Sequence, residues 1–326
     1  MRVMAQVNQR AREQRIPVTV HFDLTYRCHQ RCVHCYLPEA YRRGAGPGPE
    51  LDTDQVKNIL DQLAAAGTFF LTFSGGEIFL RPDLLQLVAY ARRLNFSISL
   101  MSSGSMGIEA EQVRVLSDIG LEALFISLHS LEAETHDQIS GAPGSWSMVW
   151  KVLQKCRNRG LRVVLNSQAL RLNYRGLTAL KRYALQAEIP LRMDDDLSPR
   201  WDGRPHPKGL ALNPKESHWF HQEIGGGNGS GEREPATVPA DPQEGGCGAG
   251  LSRGYINPQG ELWPCLELPW PCGRLLQGTD FSRLWRESPI LNWLRPLLSK
   301  DREVKGPFCE YLRKNRIKPD EAITHQ

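Results

Sequence analysis

Three cysteines lie close together near the start of this 326-residue chain, at Cys28, Cys32 and Cys35. Their spacing, C-x₃-C-x₂-C, places three thiol groups on one short loop, and the aromatic residue Tyr36 follows the last of them. Iron–sulfur clusters are held by cysteine thiolates, usually four of them. A loop that offers only three therefore leaves one iron open to a substrate or a cofactor.

A zinc ion on the same loop is the alternative. Structural zinc sites use four protein ligands, so His29 or His34 would have to supply the fourth. A second motif about forty residues downstream favours the iron–sulfur cluster. It is Ser74, Gly75, Gly76 and Glu77.

Together, the two motifs resemble the radical S-adenosylmethionine (radical SAM) superfamily. In that family the three cysteines hold a 4Fe–4S cluster, S-adenosylmethionine chelates the open iron, and a strand-end Gly-Gly-Glu holds the methionyl amino group. The resemblance implies a deoxyadenosyl radical that abstracts hydrogen from a substrate carbon. It also implies that Tyr36 packs near the adenine, although a plain core aromatic is the alternative for Tyr36. The remaining S-adenosylmethionine contacts that it implies are Ser74, Gly75, Gly76, Glu77, Ser102, Ser127 and Gln168.

Composition places the chain among globular proteins of ordinary charge. The net charge of +4 is too small to indicate nucleic-acid binding, and no apolar run approaches the ~20 residues of a membrane span. Eight cysteines without a signal peptide favour metal or redox chemistry in a reducing compartment. We therefore expect a cytoplasmic protein with no nucleic-acid or membrane partner. The arginine-rich residues 1–16 predict a short solvated helix, with an organellar presequence as the alternative.

Strand and helix patterns alternate along residues 17–212. Six predicted strands, each followed by a turn or a helical pattern, imply an α/β fold with a parallel sheet and ligands at the carboxyl ends of the strands. Six units are too few for a closed eight-stranded barrel, and the resemblance implies a partial (β/α)6 TIM barrel. The predicted strands span residues 17–25, 68–73, 96–101, 123–128, 161–166 and 189–193.

A second cysteine set follows a glycine-rich linker, which we place at residues 213–246. Residues 247–326 predict a hairpin turning at residues 257–260 and a helix over residues 280–298. This tail resembles the SPASM/twitch extension of many radical SAM enzymes, which holds an auxiliary cluster. Four cysteines fit one auxiliary 4Fe–4S cluster, with four unrelated buried cysteines as the alternative. They are Cys247, Cys265, Cys272 and Cys309.

Cys272, from this second set, and Cys156, from outside both sets, need separate interpretations. Cys272 either completes the auxiliary cluster or is a free thiol that gives hydrogen to the substrate, and the four-cysteine habit of such clusters favours the ligand role. Cys156 shares a helical face with Val149, Val152 and Leu153, so we assign it to the core.

Residues after the sixth strand are candidates for binding substrate. Asp194, Asp196 and Arg200 follow that strand directly, and the stretch resembles one in peptide-modifying SPASM enzymes. A solvated acidic loop is the alternative.

Three functions compete on the sequence alone. The first is a maturase of a ribosomally made peptide, acting by epimerisation or crosslinking. The second is a small-molecule enzyme, such as a haem-pathway decarboxylase or an antibiotic-pathway dehydrogenase. The third is a non-catalytic iron–sulfur electron carrier or sensor, which would need no methionyl site. The first two would require an electron donor such as flavodoxin or ferredoxin, and the first also a way to recognise its peptide, through the barrel or a separate leader-peptide-binding protein.

Overall fold

The computed structural model describes residues 2–207, 209–224, 247–276 and 278–299, together with Cys309, Leu312 and Pro319. Most of the predicted linker, residues 225–246, lies outside the described residues. No helix among the described residues is long and apolar enough to cross a membrane.

The described strands form one continuous sheet. Its spatial order is β6-β5-β4-β3-β2-β1-β7-β8-β9, and every neighbouring pair from β6 to β7 is parallel. The predicted α/β fold with a six-unit partial barrel is confirmed. In chain order the strands are β1 (Thr19–Thr25), β2 (Phe70–Gly75), β3 (Ser97–Ser102), β4 (Ala123–Ser127), β5 (Val163–Gln168), β6 (Leu191–Asp194), β7 (Arg253–Ile256), β8 (Glu261–Trp263) and β9 (Gly273–Arg274).

Helices connect the parallel strands and cover the outside of the sheet. A typical one, α3, begins at a capping box between Asp52 and Gln55 and ends before Gly67, whose φ of 88° stops the helix. Among the described residues the helices are α1 (Arg2–Gln14), α2 (Glu39–Arg42), α3 (Thr53–Ala65), α4 (Leu84–Arg93), α5 (Ala110–Ile119), α6 (Ala133–Ser140), α7 (Ser145–Asn158), α8 (Leu177–Gln186), α9 (Pro214–Ile224), α10 (Phe281–Glu287) and α11 (Pro289–Ser299), with a 3₁₀ turn at Ile78–Leu80.

The two faces of the sheet differ in polarity. On β1, Val20 and Phe22 are fully buried in the main core under the helices, whereas Thr19 and His21 line a cavity on the opposite, inner face. Successive side chains of a strand point to opposite faces, so this alternation makes the outside of the sheet apolar and the inside polar. Cys156 is fully buried in the same core, as the sequence predicts.

The tail is part of the barrel sheet rather than a separate layer. The predicted hairpin is present as β7 and β8, and β7 also pairs in parallel with β1 from Thr19 to Phe22. Tyr255 on β7 donates a hydrogen bond of 2.7 Å to Asp23 on β1. The hairpin of the tail is therefore held against the first strand of the barrel.

Two predicted boundaries need correction. The helix predicted over residues 280–298 is broken into α10 and α11 at Ser288, whose ψ of 125° is extended, because a residue that precedes proline avoids the helical conformation. The predicted linker begins too early, because α9 occupies residues 214–224 and buries Phe220 and Ile224. The apolar spacing of these two residues is the signal that a composition-based reading missed.

Candidate active site

A cavity of about 940 Å³ lies inside the curved sheet. The carboxyl ends of β1 to β6 open into it, as expected for a parallel α/β sheet. Both cysteine sets reach it: the loop cysteines Cys28, Cys32 and Cys35, and the tail cysteines Cys265 and Cys309. The sequence predicted that the loop cysteines lie at the carboxyl ends of the strands, where ligands bind. It did not predict that the tail cysteines reach the same cavity.

Backbone hydrogen bonds fold the cysteine loop over the end of β1. Cys28 N donates to Arg42 O at 3.0 Å, and Cys35 N donates to Cys32 O at 3.2 Å. All three thiols are close enough to perturb one another's ionisation. The loop therefore presents its three thiols together, as the ligand set of an iron–sulfur cluster requires.

Arg42 is a positively charged residue packed beside this loop. Burial raises the pKa of Cys28 to about 12 and that of Cys35 above its usual value, and the positive charge of Arg42 opposes the rise for both. Arg42 is itself buried and donates from Nη1 to Gln30 O at 3.1 Å. Thiolates are the form that binds metal, so Arg42 favours the binding-competent form. The sequence reasoning missed this residue, which no motif marks.

The glycine pair fits against the cysteine loop with no room for a side chain. A Cβ on Gly75 would lie 2.0 Å from Thr25 O, and a Cβ on Gly76 would lie 2.3 Å from Arg27 O. Gly75 also has a φ of 137°, which L side chains rarely adopt. Gly76 N donates to Thr25 O at 2.7 Å. The two glycines thus join the end of β2 directly to the backbone that carries the cysteines.

Glu77 has a different set of partners from the one predicted. Its carboxylate is fully buried and does not line the cavity. Ser102 Oγ donates to it at 2.8 Å, Ser103 N at 3.0 Å and Phe79 N at 3.2 Å, and the Ser103 hydroxyl donates as well. In this arrangement Glu77 ties the loop after β3 to the loop after β2. Its contact with a methionyl ammonium stays a prediction that would require these bonds to rearrange.

The other predicted S-adenosylmethionine contacts share the wall of the cavity. They come from the carboxyl ends of four neighbouring strands and from the cysteine loop, which is the edge where ligands bind in such sheets. Their binding roles stay predictions. The residues are Tyr36, Ser74, Gly75, Gly76, Ser102, Ser127 and Gln168.

The residues predicted to anchor substrate separate into two groups. Asp194 and Asp196 line the cavity, and Gln168 Nε2 donates to the backbone oxygens of both, at 2.7 and 3.2 Å. Arg200 does not line the cavity and is ion-paired with Asp202, with 3.0 Å between Nη2 and Oδ2. Only the two aspartates are therefore placed to meet a substrate in the cavity.

The tail cysteines also separate into two groups. Cys247, Cys265 and Cys309 pack around one small apolar cluster, and the charges of Cys247 and Cys309 add to burial in raising the pKa of Cys265. Cys272 lies elsewhere, in the main core, with its thiol 3.5 Å from Trp270 O and Arg295 as its charged neighbour. It does not line the cavity. The structure thus brings together three of the four predicted auxiliary ligands, and neither predicted role for Cys272 gains support.

Single-ion binding finds no support at either cysteine set. Within the described ranges, no group of three or more His, Cys, Asp or Glu side chains is arranged to hold one metal ion. His29, one candidate zinc ligand, instead lies 2.6 Å from Ser105 Oγ through its Nε2. The thiolates of an iron–sulfur cluster bind different irons and need not converge on one point, so the cluster interpretation does not require such a group.

Comparison with known proteins identifies the domain. Residues 22–174, just under half of the chain, match the family model described as the Radical SAM superfamily. The Fe-coproporphyrin III synthase of Methanosarcina barkeri is 32% identical over 53% of this chain, which is only 42% of that relative.

Two other relatives align along most of both chains. The AdoMet-dependent heme synthase of Methanosarcina barkeri is 25% identical over 90% of this chain and 89% of its own length. The PqqA peptide cyclase of Rhodopseudomonas palustris is 27% identical over 86% of this chain and 76% of its own length.

Solved structures share the fold over most of this chain, as SuiB shows. SuiB of Streptococcus suis, bound to precursor peptide SuiA, superposes with a TM-score of 0.67 at 13% identity, over 89% of this chain and 70% of that chain. At this identity the likeness concerns the fold alone.

The glycine contact generates a first test. Gly76→Ala should lower the free energy of unfolding by about 1–3 kcal/mol, because the new methyl group meets the backbone oxygen of Arg27. It should also lower the iron bound after anaerobic reconstitution, because the cysteine loop is displaced. Gly176→Ala is the matched control: its nearest neighbour is 3.4 Å away and its φ is −69°. Equal iron content in the two variants would contradict the link between the glycine and the loop.

The separation of Cys272 generates a second test. Cys272→Ala should retain the iron content of the wild type and lose only the stability of a small buried side chain, about 1 kcal/mol. Cys265→Ala, in the group that faces the cavity, should bind less iron. Iron analysis with the absorbance of the reconstituted proteins measures both, and a loss of about four irons in Cys272→Ala would restore it as a ligand.

Proposed function

Because residues 22–174 form a radical SAM domain, we propose that this protein cleaves S-adenosylmethionine reductively and uses the resulting radical to modify a ribosomally made peptide. The observation that carries the first half is the meeting of the Cys28–Cys35 loop with the Gly75–Gly76 pair at the mouth of one cavity. The relative named PqqA peptide cyclase, similar over 86% of this chain, supports the second half.

The residues of the cavity have separable roles in this proposal. Cys28, Cys32 and Cys35 would hold a 4Fe–4S cluster, and Arg42 favours their thiolate forms. A cluster bound there beside S-adenosylmethionine would supply the chemistry of its reductive cleavage. The protein itself orients the cofactor and excludes water. Asp194 and Asp196, at the end of β6, are placed to bind polar groups of the substrate.

The proposal also includes an auxiliary cluster, which would be held by three cysteines instead of the four that the sequence suggested. Cys247, Cys265 and Cys309 would provide three thiolates for an auxiliary 4Fe–4S cluster, with the fourth ligand supplied from outside this set. Because Cys265 and Cys309 face the same cavity as the first loop, a substrate between the two sites would meet both. An electron donor such as flavodoxin or ferredoxin is required, and a separate leader-peptide-binding protein is compatible with this arrangement.

A small-molecule substrate is the second candidate. The relative named AdoMet-dependent heme synthase aligns over 90% of this chain and 89% of its own length, which is more complete than the alignment with the peptide cyclase, at 86% and 76%. A haem-type tetrapyrrole, which carries propionate groups, is the class of compound that this relative's name suggests. Mass spectrometry of reductive incubations with iron coproporphyrin III, and with short peptides encoded beside the gene, separates the two candidates by which compound changes mass.

The radical step has a direct test. Under dithionite, the reconstituted wild-type protein should convert S-adenosylmethionine into deoxyadenosine and methionine, measured by chromatography with mass detection. Replacing Cys28, Cys32 and Cys35 together by Ala should abolish deoxyadenosine and remove about four of roughly eight bound irons. Cys156→Ala is the matched control, since Cys156 is buried in the helix layer away from the cavity. Deoxyadenosine from the triple variant would overturn the proposal.

A further inference from the structure

Two arginines face the inside of the barrel at the amino-terminal ends of their strands. Arg253 is the first residue of β7 and Arg192 is the second residue of β6. Both line the cavity. Neither belongs to the cluster loop, to the glycine motif or to the residues predicted to bind S-adenosylmethionine.

The stagger of the strands brings these two arginines to the same height. Arg253 pairs in one row with Thr19, Phe70 and Ser97, across four neighbouring strands. Two residues further along β3, Ser99 pairs with Ala123. Two residues further along β4, Phe125 pairs with Val164, and two residues further along β5, Asn166 pairs with Arg192. Arg192 is therefore about six residues further along the register than Arg253. A (β/α)8 barrel is staggered by about one residue per strand, and six steps of the sheet separate β7 from β6. The offset equals the stagger, so the arginines face each other across the open side of the barrel.

Electrostatics agree with this placement. Burial lowers the pKa of Arg253, and the positive charge of Arg192 is among the groups that lower it further. The thiols of Cys247 and Cys265 act in the opposite direction on Arg253. Arg253 is thus close enough to the tail cysteines and to Arg192 to be affected by their charges, and both arginines line the same cavity.

Arg192 has no carboxylate partner among the described residues. Its guanidinium lies over the ring of Phe125, 5.8 Å from the centroid. Two hydroxyl groups of the same wall, Thr19 Oγ1 and Ser99 Oγ, are buried without a hydrogen-bond partner, and Ser99 is only 3% exposed. A guanidinium without an anion and buried hydroxyls without acceptors both indicate a ligand that accepts hydrogen bonds.

We propose that Arg192 and Arg253 bind a carboxylate group of the substrate, with the hydroxyls of Thr19 and Ser99 as additional donors. This inference rests on the proposed function, because it names a chemical group that the substrate must carry. The group is an acidic side chain or the carboxyl terminus if the substrate is a peptide, and a propionate if it is a tetrapyrrole.

The anchored carboxylate is remote from the reacting carbon. The six residue steps from Thr19 to Thr25, at ~3.3 Å each, place the pair about 20 Å below the end of β1 that carries the cysteine loop. Binding energy from such a remote group orients the part of the substrate that reacts. The pair therefore selects substrates that are long enough to reach both ends of the cavity.

Binding measurements on the reconstituted protein test this inference. The probes are iron coproporphyrin III with its fully esterified form, and a short glutamate-containing peptide with its glutamine twin, each titrated calorimetrically with S-adenosylmethionine present. Arg192→Gln should weaken the acid form of the true substrate class about tenfold or more, the usual worth of a charged hydrogen bond. Arg192→Lys should recover part of the loss, and Arg182→Gln, on the exposed face of α8, should change nothing.

The outcomes distinguish a propionate from a peptide carboxylate, and they distinguish failure of this inference from failure of the proposed function. A loss confined to the porphyrin acid assigns a propionate, and a loss confined to the glutamate peptide assigns a peptide carboxylate. Binding of neither acid to the wild type, or equal losses for an acid and its uncharged twin, would overturn the inference. Deoxyadenosine formation by the wild type is measured separately, so a failed radical step refutes the proposed function whatever the binding shows. Iron analysis of Arg253→Gln shows whether that residue instead serves the Cys247 and Cys265 site.

Discussion

The close approach of two backbones is the contact on which the site depends. Gly75 and Gly76 touch the carbonyl oxygens of Thr25 and Arg27 at distances that leave no space for a Cβ. Since Cys28 follows directly in the chain, the position of the cysteine loop is set by β2 as much as by β1. The glycine pair resembles a cofactor-binding motif in the sequence. In the structure, the close packing of the two backbones also requires glycine at both positions. The two requirements fall on the same residues because the loop and the cofactor share one edge of the sheet.

Aromatic side chains connect this edge to the tail. Trp201 lies between Tyr36 of the cysteine loop and Trp263 of β8, with ring centroids 4.9 Å from each. Its backbone N–H also donates to the backbone oxygen of Tyr36 at 3.0 Å. Such ring pairs are worth about 0.5–1.5 kcal/mol each beyond their buried area. The segment after β6, the first cysteine set and the hairpin are therefore held as one body, which fixes the geometry of the cavity between the two cysteine sets.

The inner face of the sheet is polar where most strand interiors are apolar. Asp23 is fully buried yet satisfied, since His21 Nε2 lies 2.9 Å from its Oδ1 and Tyr255 donates to its Oδ2. Together with Arg192, Arg253, Thr19 and Ser99, these groups give the cavity a wall of donors and charges. A cavity built in this way is suited to polar ligands and their directional contacts, while the apolar outer face carries the stability of the fold.

Most helices and strands, and the candidate first cysteine set, could be predicted from the sequence. Hydrophobic periodicity located the six barrel strands and most helices, because that pattern is a local property. The C-x₃-C-x₂-C spacing is equally local, and so is the Gly-Gly pair. Contacts between residues far apart in the sequence could be seen only in the folded chain. The stagger of the sheet set Arg192 opposite Arg253, the pairing of β7 with β1 brought Cys265 to the same cavity as Cys28, and the packing of the tail left Cys272 in the core. The sequence contains no periodic pattern that relates residues so far apart. Their contact depends on the register and curvature of the sheet.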